Sequence, residues 1–245
     1  MKIKPLLIHI KETDSTNKYL RKISELEKLV SGSIVLADYQ SDGRGISGSY
    51  WESERGKNLT FSVLYYPMNL PSNRPFVIAE MASLSVKYTL DKYLHDVTVK
   101  WPNDIYYGDN KITGILIENT VYQGCITQSI IGIGLNVNQT IFRSNAPNAI
   151  SMAQITGFAF DRLGIMNDFR QTFAEQNIRI DNRHYAAIHN DYLKVLYHKT
   201  GFHSFIDAQG AFKASILDIE PSGHLVLERK DGYISRYAFK EVSFF

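Results

Sequence analysis

Cysteine is nearly absent from this sequence of 245 residues, since Cys125 is the only one. A single cysteine excludes an intrachain disulfide, and such a low content is typical of proteins kept in a reducing compartment. Long apolar runs are missing as well. Residues 5–10 form a short apolar run broken by His9, too short for a signal peptide or a membrane span. We therefore expect a cytoplasmic protein without a membrane partner.

An excess of charge of one sign is also missing. Lysine and arginine total 27 and aspartate and glutamate total 25, so the formal net charge is +2 at pH 7. This balance gives no general reason to bind nucleic acid or membranes, so recognition of an anion has to be local. The seven histidines form no metal-binding pattern, and the sequence has neither a Walker-type glycine loop nor a Gly-x-Ser-x-Gly nucleophile motif.

Apolar periodicity predicts strands and helices over most of the chain. Strands are predicted at residues 6–10, 33–39, 59–66 and 97–100, and a hairpin at residues 111–121 and 125–137. Helix starts are predicted at residues 14–17, with an apolar stripe reaching Val30, and at residues 71–75, and two further helices are predicted between residues 161 and 198.

The pattern changes near residues 199–201. From there on, short strands at residues 212–216, 225–227 and 233–239 are separated by turn sequences. A module of about 45 residues buries too little surface to be robust alone. We therefore divide the chain into residues 1–198 and 199–245, and we expect the second part to pack against the first.

Three segments place a cation or an amide beside glycine or proline. In Gly43-Arg44-Gly45, glycine permits close backbone approach, successive amides form an anion-binding concavity, and Arg44 adds a planar charged fork. In residues 100–104, Pro102 excludes a continuing helix, Asn103 and Asp104 favour a turn, and a carboxylate such as Asp104 suits Mg²⁺ beside phosphates. The alternatives are a surface loop with a solvated arginine, and a polar turn with a core tryptophan.

The third segment is the strand that Lys111 opens. Strict alternation places Thr113, Ile115 and Ile117 on the face of Lys111, and a lysine facing a pocket pairs with an anionic substrate. Gly114 lets a flat ligand lie against the strand. The alternative is an edge lysine whose stem covers apolar surface. Read together, the three segments predict a single site that handles phosphate.

At these residues the chain resembles the biotin–protein ligases, also called biotin–[acetyl-CoA-carboxylase] ligases. The resemblance covers nearly the whole chain and runs through six motifs, at residues 14–17, 39–51, 56–59, 100–104, 111–118 and 132–138. It implies an α+β fold, with a mixed, mainly antiparallel sheet and helices like those of class II aminoacyl-tRNA synthetases. It also implies that residues 199–245 form a small C-terminal SH3-like β barrel.

The resemblance further implies the reaction. Biotin and Mg·ATP give biotinyl-5′-AMP and pyrophosphate, and the biotinyl group then passes to one lysine of a biotin carboxyl carrier protein. ATP and Mg²⁺ are the implied cofactors, and a homodimer remains open. The implied catalytic residues are Arg44, Asp104 and Lys111, and Asp104 is also the implied contact for Mg²⁺. The implied biotin-binding residues are Ser15, Thr16, Asn17, Gln40, Arg44, Gly45, Ile46, Trp51, Lys111 and Gly114, and the implied nucleotide-binding residues are Lys100, Asn103 and Asn136.

Two departures from the family pattern carry expectations. Many members have further arginines after Gly-Arg-Gly, where this chain has Ile46 and Ser49, so we expect faster leakage of biotinyl-AMP than in arginine-rich relatives. Slow release in a chase experiment would contradict this. Some members carry an N-terminal winged-helix domain and act as repressors. Here the first predicted strand begins within ten residues of Met1, so we expect no DNA binding.

Three other functions stay open at this point. A lipoate–protein ligase or octanoyltransferase has the same fold, but Trp51 and the Trp-Pro-Asn-Asp run argue against it. A non-catalytic biotin sensor would not need Arg44, Asp104 and Lys111. A β-ribbon that binds nucleic acid is the remaining alternative, because a fold alone does not determine a function.

Overall fold

The computed structural model describes residues 4–43, 45, 50–144 and 148–245. Arg44, Ile46 and Ser49, which the sequence singled out, lie outside the described residues. Within the described ranges the chain forms two β-sheets and five helices. The helices are α1 (Thr16–Leu26), α2 (Phe76–Leu90), α3 (Met152–Thr156), α4 (Arg162–Asp181) and α5 (Tyr185–Lys194). None of them is long and apolar enough to cross a membrane.

The larger sheet has eight strands. They are β1 (Leu7–Ile10), β2 (Ile34–Ala37), β3 (Leu59–Tyr65), β4 (Leu70–Pro71), β5 (Val97–Lys100), β6 (Asp104–Tyr107), β7 (Asn110–Tyr122) and β8 (Cys125–Leu135). Seven follow the order β1-β2-β3-β8-β7-β6-β5, and β4 pairs separately with β8. The β1–β2 pair is parallel and the other pairs are antiparallel. This confirms the mixed, mainly antiparallel sheet.

Helices cover both faces of this sheet, which explains why every residue of β3 is buried. Phe61 and Tyr65 point to the main core, where the Phe61 ring meets that of Phe169 on α4 with centroids 4.9 Å apart. Leu64 points the other way and packs with Leu20 of α1. Full burial of each such apolar side chain contributes about 1.5–3 kcal/mol. The two layers fix the register of β3 and of its neighbour β8.

The smaller sheet is built from β9 (His203–Asp207), β10 (Gly210–Ile219), β11 (Leu225–Arg229), β12 (Ile234–Tyr237) and β13 (Val242–Phe244), in the order β12-β11-β10-β9-β13. All its pairs are antiparallel. It contacts the larger part directly, since Trp101 Nε1 donates to the Gly223 carbonyl at 3.0 Å and the Phe76 amide to the Pro221 carbonyl at 3.3 Å.

Several predicted boundaries are wrong. Asp104 begins the strand β6, although its sequence predicted only a turn, because Ile105 and Tyr106 continue as buried strand residues. Helix α1 ends at Leu26, before Val30, and the strands β9 and β13 were not predicted.

Candidate active site

A cavity of about 820 Å³ opens above β3, β7 and β8. Its lining brings together ten of the residues that the sequence singled out: Ser15, Thr16, Asn17, Gln40, Gly45, Trp51, Asp104, Lys111, Gly114 and Asn136. Of the other predicted site residues, Lys100 and Asn103 stand outside the lining, and Arg44 and Ile46 are not among the described residues.

The floor of the cavity is formed where Trp51 lies on two glycines. Gly114 and Gly134 face each other across β7 and β8. A Cβ atom at Gly114 would stand 2.8 Å from Trp51 Cζ3, and one at Gly134 would overlap the indole. Both strands thus need glycine here because the indole rests directly on the sheet. The flat group predicted to lie against Gly114 is therefore, in this structure, the protein's own tryptophan.

One end of the cavity is a buried polar network at the start of α1. Gln40 Oε1 accepts hydrogen bonds from Thr16 N at 2.7 Å and from Thr16 Oγ1 at 2.9 Å. Ser62 Oγ, fully buried, lies 2.7 Å from Thr16 Oγ1 and 2.5 Å from Asn17 Oδ1. Asn17 Nδ2 donates to Glu118 at 2.8 Å. Since the partners satisfy one another, this end is held in one arrangement.

The helix start was predicted at residues 14–17, and α1 begins within them, at Thr16. The side chain of Ser15 makes no capping hydrogen bond. Instead Gln40, from a distant loop, accepts from the first helical amide. This leaves Ser15 to line the cavity.

A β-bulge turns Lys111 toward the cavity. The β6–β7 register pairs Ile105 with Thr113 but Tyr106 with Lys111, so Ile112 is an extra residue in β7. A Cβ atom added at Gly114 would be 3.4 Å from Lys111 Cε, which places these two residues on one face. The predicted face, with Lys111 beside Thr113 and Ile115, is therefore wrong. Strict alternation fails because a bulge reverses the side-chain order.

Lys111 and Asp104 form an ion pair in the cavity, with Lys111 Nζ 2.5 Å from Asp104 Oδ2. Burial raises the pKa of Asp104 and outweighs the opposing charges of Lys111 and Lys100. Lys111 Nζ also lies 5.9 Å from the centroid of the Trp51 ring. The cavity thus holds a cation that is already close to a carboxylate and to an aromatic surface.

Lys100 occupies a different environment. Its ammonium lies 4.7 Å from the Tyr106 ring centroid, 5.0 Å from that of Phe244 and 5.5 Å from that of Tyr197. Burial among these rings lowers the pKa of Lys100. The side chain of Lys100 is enclosed by aromatic rings and does not line the cavity. Its positive charge acts on the cavity residue Asp104, whose pKa it tends to lower.

The buried side-chain amides of Asn136 and Asn103 each have an oxygen that accepts no hydrogen bond from the described residues. Asn136 is 2% exposed, and its Nδ2 donates to the Ile150 carbonyl at 3.1 Å while its Oδ1 receives no hydrogen bond. Asn103 donates to the Ile115 carbonyl at 3.3 Å, and its Oδ1 is likewise unpaired. An unpaired buried acceptor costs about 1–3 kcal/mol. Because Asn136 lines the cavity, a small shift of its side chain would present this buried oxygen to a ligand N–H group.

Sequence reasoning missed several lining residues. Ser144, Asn148 and Ala149 form a wall beside Asn136, and Phe239 and Lys240 lie in the loop between β12 and β13. No periodic or compositional signal marks them, since they lie in loops whose position depends on tertiary contacts. The cavity therefore joins a polar end to a centre that holds the ammonium of Lys111 beside the Asp104 carboxylate, an arrangement that suits a ligand with a neutral polar head and an acidic tail.

Comparison with known proteins gives consistent likenesses. The family described as the Biotin/lipoate A/B protein ligase family matches residues 9–136. Over 243 residues the chain is 28% identical to the bifunctional ligase/repressor BirA of Bacillus spizizenii, which covers 95% of this chain and 72% of that protein. Over 128 residues it is 40% identical to the bifunctional ligase/repressor BirA of Escherichia coli, which covers 51% of this chain and 38% of that protein.

Among solved structures, the biotin protein ligase from Aquifex aeolicus in complex with biotin and ATP superposes with a TM-score of 0.79 at 24% identity. The match covers 98% of each chain, so it includes both sheets. At this level of identity the likeness concerns the fold.

Proposed function

Because the chain belongs to the biotin/lipoate A/B protein ligase family, we propose that it is a biotin–protein ligase. It activates biotin with ATP to biotinyl-5′-AMP and transfers the biotinyl group to a lysine of a biotin carboxyl carrier protein. Relatives that carry the name ligase, and the fold of a biotin protein ligase crystallised with biotin and ATP, support this proposal. The observation that carries it is the single cavity that joins the Thr16–Gln40 network to the Lys111–Asp104 pair.

Biotin matches the two ends of the cavity. Its neutral polar head suits the buried network of Ser15, Thr16, Asn17 and Gln40, and its apolar tail suits the indole of Trp51. The carboxylate of biotin then reaches Lys111, whose ammonium lies between the Trp51 ring and the Asp104 carboxylate. We keep Arg44, Gly45 and Ile46 as further proposed contacts of biotin and of the acyl-phosphate.

The first half-reaction brings two anions together. An oxygen of the biotin carboxylate attacks the α-phosphorus of ATP, the bond from that phosphorus to the bridging oxygen breaks, and pyrophosphate leaves with the electron pair. Lys111 offsets the repulsion between the anions and stabilises the negative charge at phosphorus. Asp104 holds the ammonium in place before the ligands arrive.

The nucleotide lies against the wall beside Asn136, whose Oδ1 has no partner among the described residues and suits an N–H donor of the base. Mg²⁺ fits this site as a partner of ATP, because it is usually held by one or two carboxylates together with substrate phosphates. Among the described residues no three histidine, cysteine or acidic side chains converge on one point. The acidic side chain in the described lining of the cavity is Asp104, so Asp104 is the carboxylate available to Mg²⁺. Bound there, the ion would neutralise phosphate charge.

In the second half-reaction the unprotonated ε-amine of a carrier lysine attacks the biotinyl carbonyl in the cytoplasm. An amide bond forms, the acyl–phosphate bond breaks, and AMP leaves with the electron pair. The test is mass spectrometry of a biotin carboxyl carrier domain incubated with this protein and Mg·ATP, with biotin in one sample and lipoate in another. We expect a gain of one biotinyl group that disappears when the acceptor lysine is replaced. Modification by lipoate alone would assign the protein to the lipoate branch of the family.

A further inference from the structure

Glu52 directly follows the cavity-floor residue Trp51, and its carboxylate points away from the ligand space into a neighbouring segment. Arg143 N lies 3.0 Å from both carboxylate oxygens, and Ser144 N lies 2.6 Å from Oε2. Gln139 Nε2 donates to Oε1 at 3.0 Å. Neither half-reaction involves this carboxylate. We call residues 139–144 and 148–150 the wall segment, because Ser144, Asn148 and Ala149 line the cavity.

The N-terminal part of the wall segment is anchored through Gln139, which is 1% exposed. Its Oε1 accepts from Glu54 N at 2.8 Å and from Asn58 Nδ2 at 2.7 Å, and its Nε2 also donates to the Ile141 carbonyl at 2.9 Å. Glu52 therefore joins, through the buried Gln139, a partly buried network in which the wall segment has fixed partners.

The C-terminal part of the wall segment is anchored on the catalytic strand. Lys111 N donates to the Asn148 carbonyl at 2.8 Å, and Ile150 N donates to the Lys111 carbonyl at 3.0 Å. Asn136 Nδ2 then donates to the Ile150 carbonyl. The wall is thus held at one end by Glu52 and at the other by Lys111 and Asn136, which are both proposed to contact the activated nucleotide.

We infer that Glu52 is a positioning residue for the nucleotide half of the cavity. It fixes the wall segment against the Trp51 floor before ATP binds, so that ATP does not have to order the wall. This inference rests on the proposed function, since it assigns the wall to ATP. Biotin should depend on Glu52 much less, because the Thr16–Gln40 network lies at the other end and makes no hydrogen bond to Glu52.

The chemistry requires a carboxylate. Its two oxygens accept from one side-chain and two backbone N–H groups, and hydrogen bonds to a charged acceptor are stronger than those to a neutral one. In Glu52→Gln one oxygen becomes an NH₂ group that faces another donor. The variant therefore keeps the size of the side chain, but its NH₂ group opposes either Gln139 Nε2 or the amides of Arg143 and Ser144, so part of the anchorage is lost.

The experiment compares wild type, Glu52→Gln and Glu54→Gln in biotin-dependent ATP–pyrophosphate exchange, with KM measured for each substrate. Glu54 is the matched control, because it is an exposed carboxylate two residues away whose side chain makes no described contact. We expect Glu52→Gln to raise the KM for ATP roughly tenfold, to change the KM for biotin less than twofold, and to lower hydrogen-exchange protection in residues 141–144. Glu54→Gln should match wild type.

An unchanged KM for ATP in Glu52→Gln overturns the inference, and so does an equal rise for ATP and biotin, which indicates general damage to the fold. If Glu52→Gln does not fold, Glu52→Asp replaces it, and an ATP-selective rise is again required. If the wild-type protein shows no biotin-dependent ATP–pyrophosphate exchange, the proposed function is refuted instead. The assignment of the wall segment to ATP binding is then refuted as well.

Discussion

At the scale of single residues, Lys111 carries the chemistry. We predict that Lys111→Met lowers the rate of biotin-dependent ATP–pyrophosphate exchange roughly 10²–10³-fold, as is typical when one preorganised charge is lost at a transition state. Lys92→Met is the control, since Lys92 forms a similar pair with Asp168 at 2.7 Å, away from the cavity. A Lys111→Met enzyme that keeps more than a tenth of the wild-type rate would contradict the role given to this ammonium.

Gly134 is a second residue with a specific consequence. In Gly134→Ala the new methyl group meets the Trp51 indole, and overpacking of this kind costs about 1–3 kcal/mol. We expect a loss of stability in urea unfolding and a rise of roughly tenfold in the KM for biotin as the indole is displaced. In Gly164→Ala the nearest group is the Asp161 carboxylate at 3.0 Å, and neither residue lines the cavity, so the KM for biotin should stay at the wild-type value.

At the scale of elements, His189 on α5 joins α2 to β10. His189 Nδ1 lies 2.6 Å from Oε1 of the buried Glu80, and Nε2 lies 2.8 Å from Oδ1 of Asp218. The hydrogen bond to Glu80, aided by Asp218, raises the pKa of His189 from 6.5 to about 8. Burial raises the pKa of Glu80 as well. The His189 ring is therefore protonated at neutral pH, and it links α2 of the larger part to β10 of the smaller sheet.

This raised pKa predicts how stability depends on pH. The folded protein binds the His189 proton more tightly than the unfolded chain, so the contribution is complete below about pH 6.5 and is lost as pH rises through 8. The change from 6.5 to about 8 corresponds to about 2 kcal/mol. Urea unfolding at pH 6 and pH 9 should show a loss of this order in wild type. It should persist in His224→Gln, whose ring is exposed, and nearly vanish in His189→Gln; a wild-type free energy of unfolding independent of pH would rule out the link.

The sequence predicted the elements of the larger sheet better than the directions of their side chains. Apolar periodicity located β3, β7 and β8, because long buried strands have a clear signal. The residues predicted to share the face of Lys111 were wrong, since a bulge depends on the partner strand, which one sequence does not display. Glu52 was overlooked because its partners lie about 90 residues away and carry no motif. Motif residues such as Thr16, Gln40 and Asp104 were predicted to share one site, and the structure brings them to one cavity.

At the scale of the whole molecule, the smaller sheet contributes to the cavity. Lys240 lies in its lining with a positive φ of 74°, which is uncommon for a residue with a side chain. The division into residues 1–198 and 199–245 remains our proposal, but the cavity draws on both parts.

We predict that Lys240→Ala raises the KM for ATP about threefold to tenfold, because a cation at the mouth of the cavity attracts the polyphosphate. Lys213→Ala, which removes an exposed lysine from β10 of the same sheet, should leave this KM unchanged. The ATP effect should shrink at high salt, since an exposed charge is screened. Equal KM values in the two variants would remove Lys240 from the substrate site.

The sequence has two tryptophans, and their positions allow intrinsic fluorescence to report on two different parts of the molecule. Trp51 forms the cavity floor, so its emission should respond when biotin or ATP replaces water above the indole. Trp101 donates to Gly223 and packs edge-on against Phe239, so its emission should report separation of the smaller sheet from the larger part. Substrate loading and domain opening can thus be followed separately, without an extrinsic dye, by replacing one indole at a time with phenylalanine.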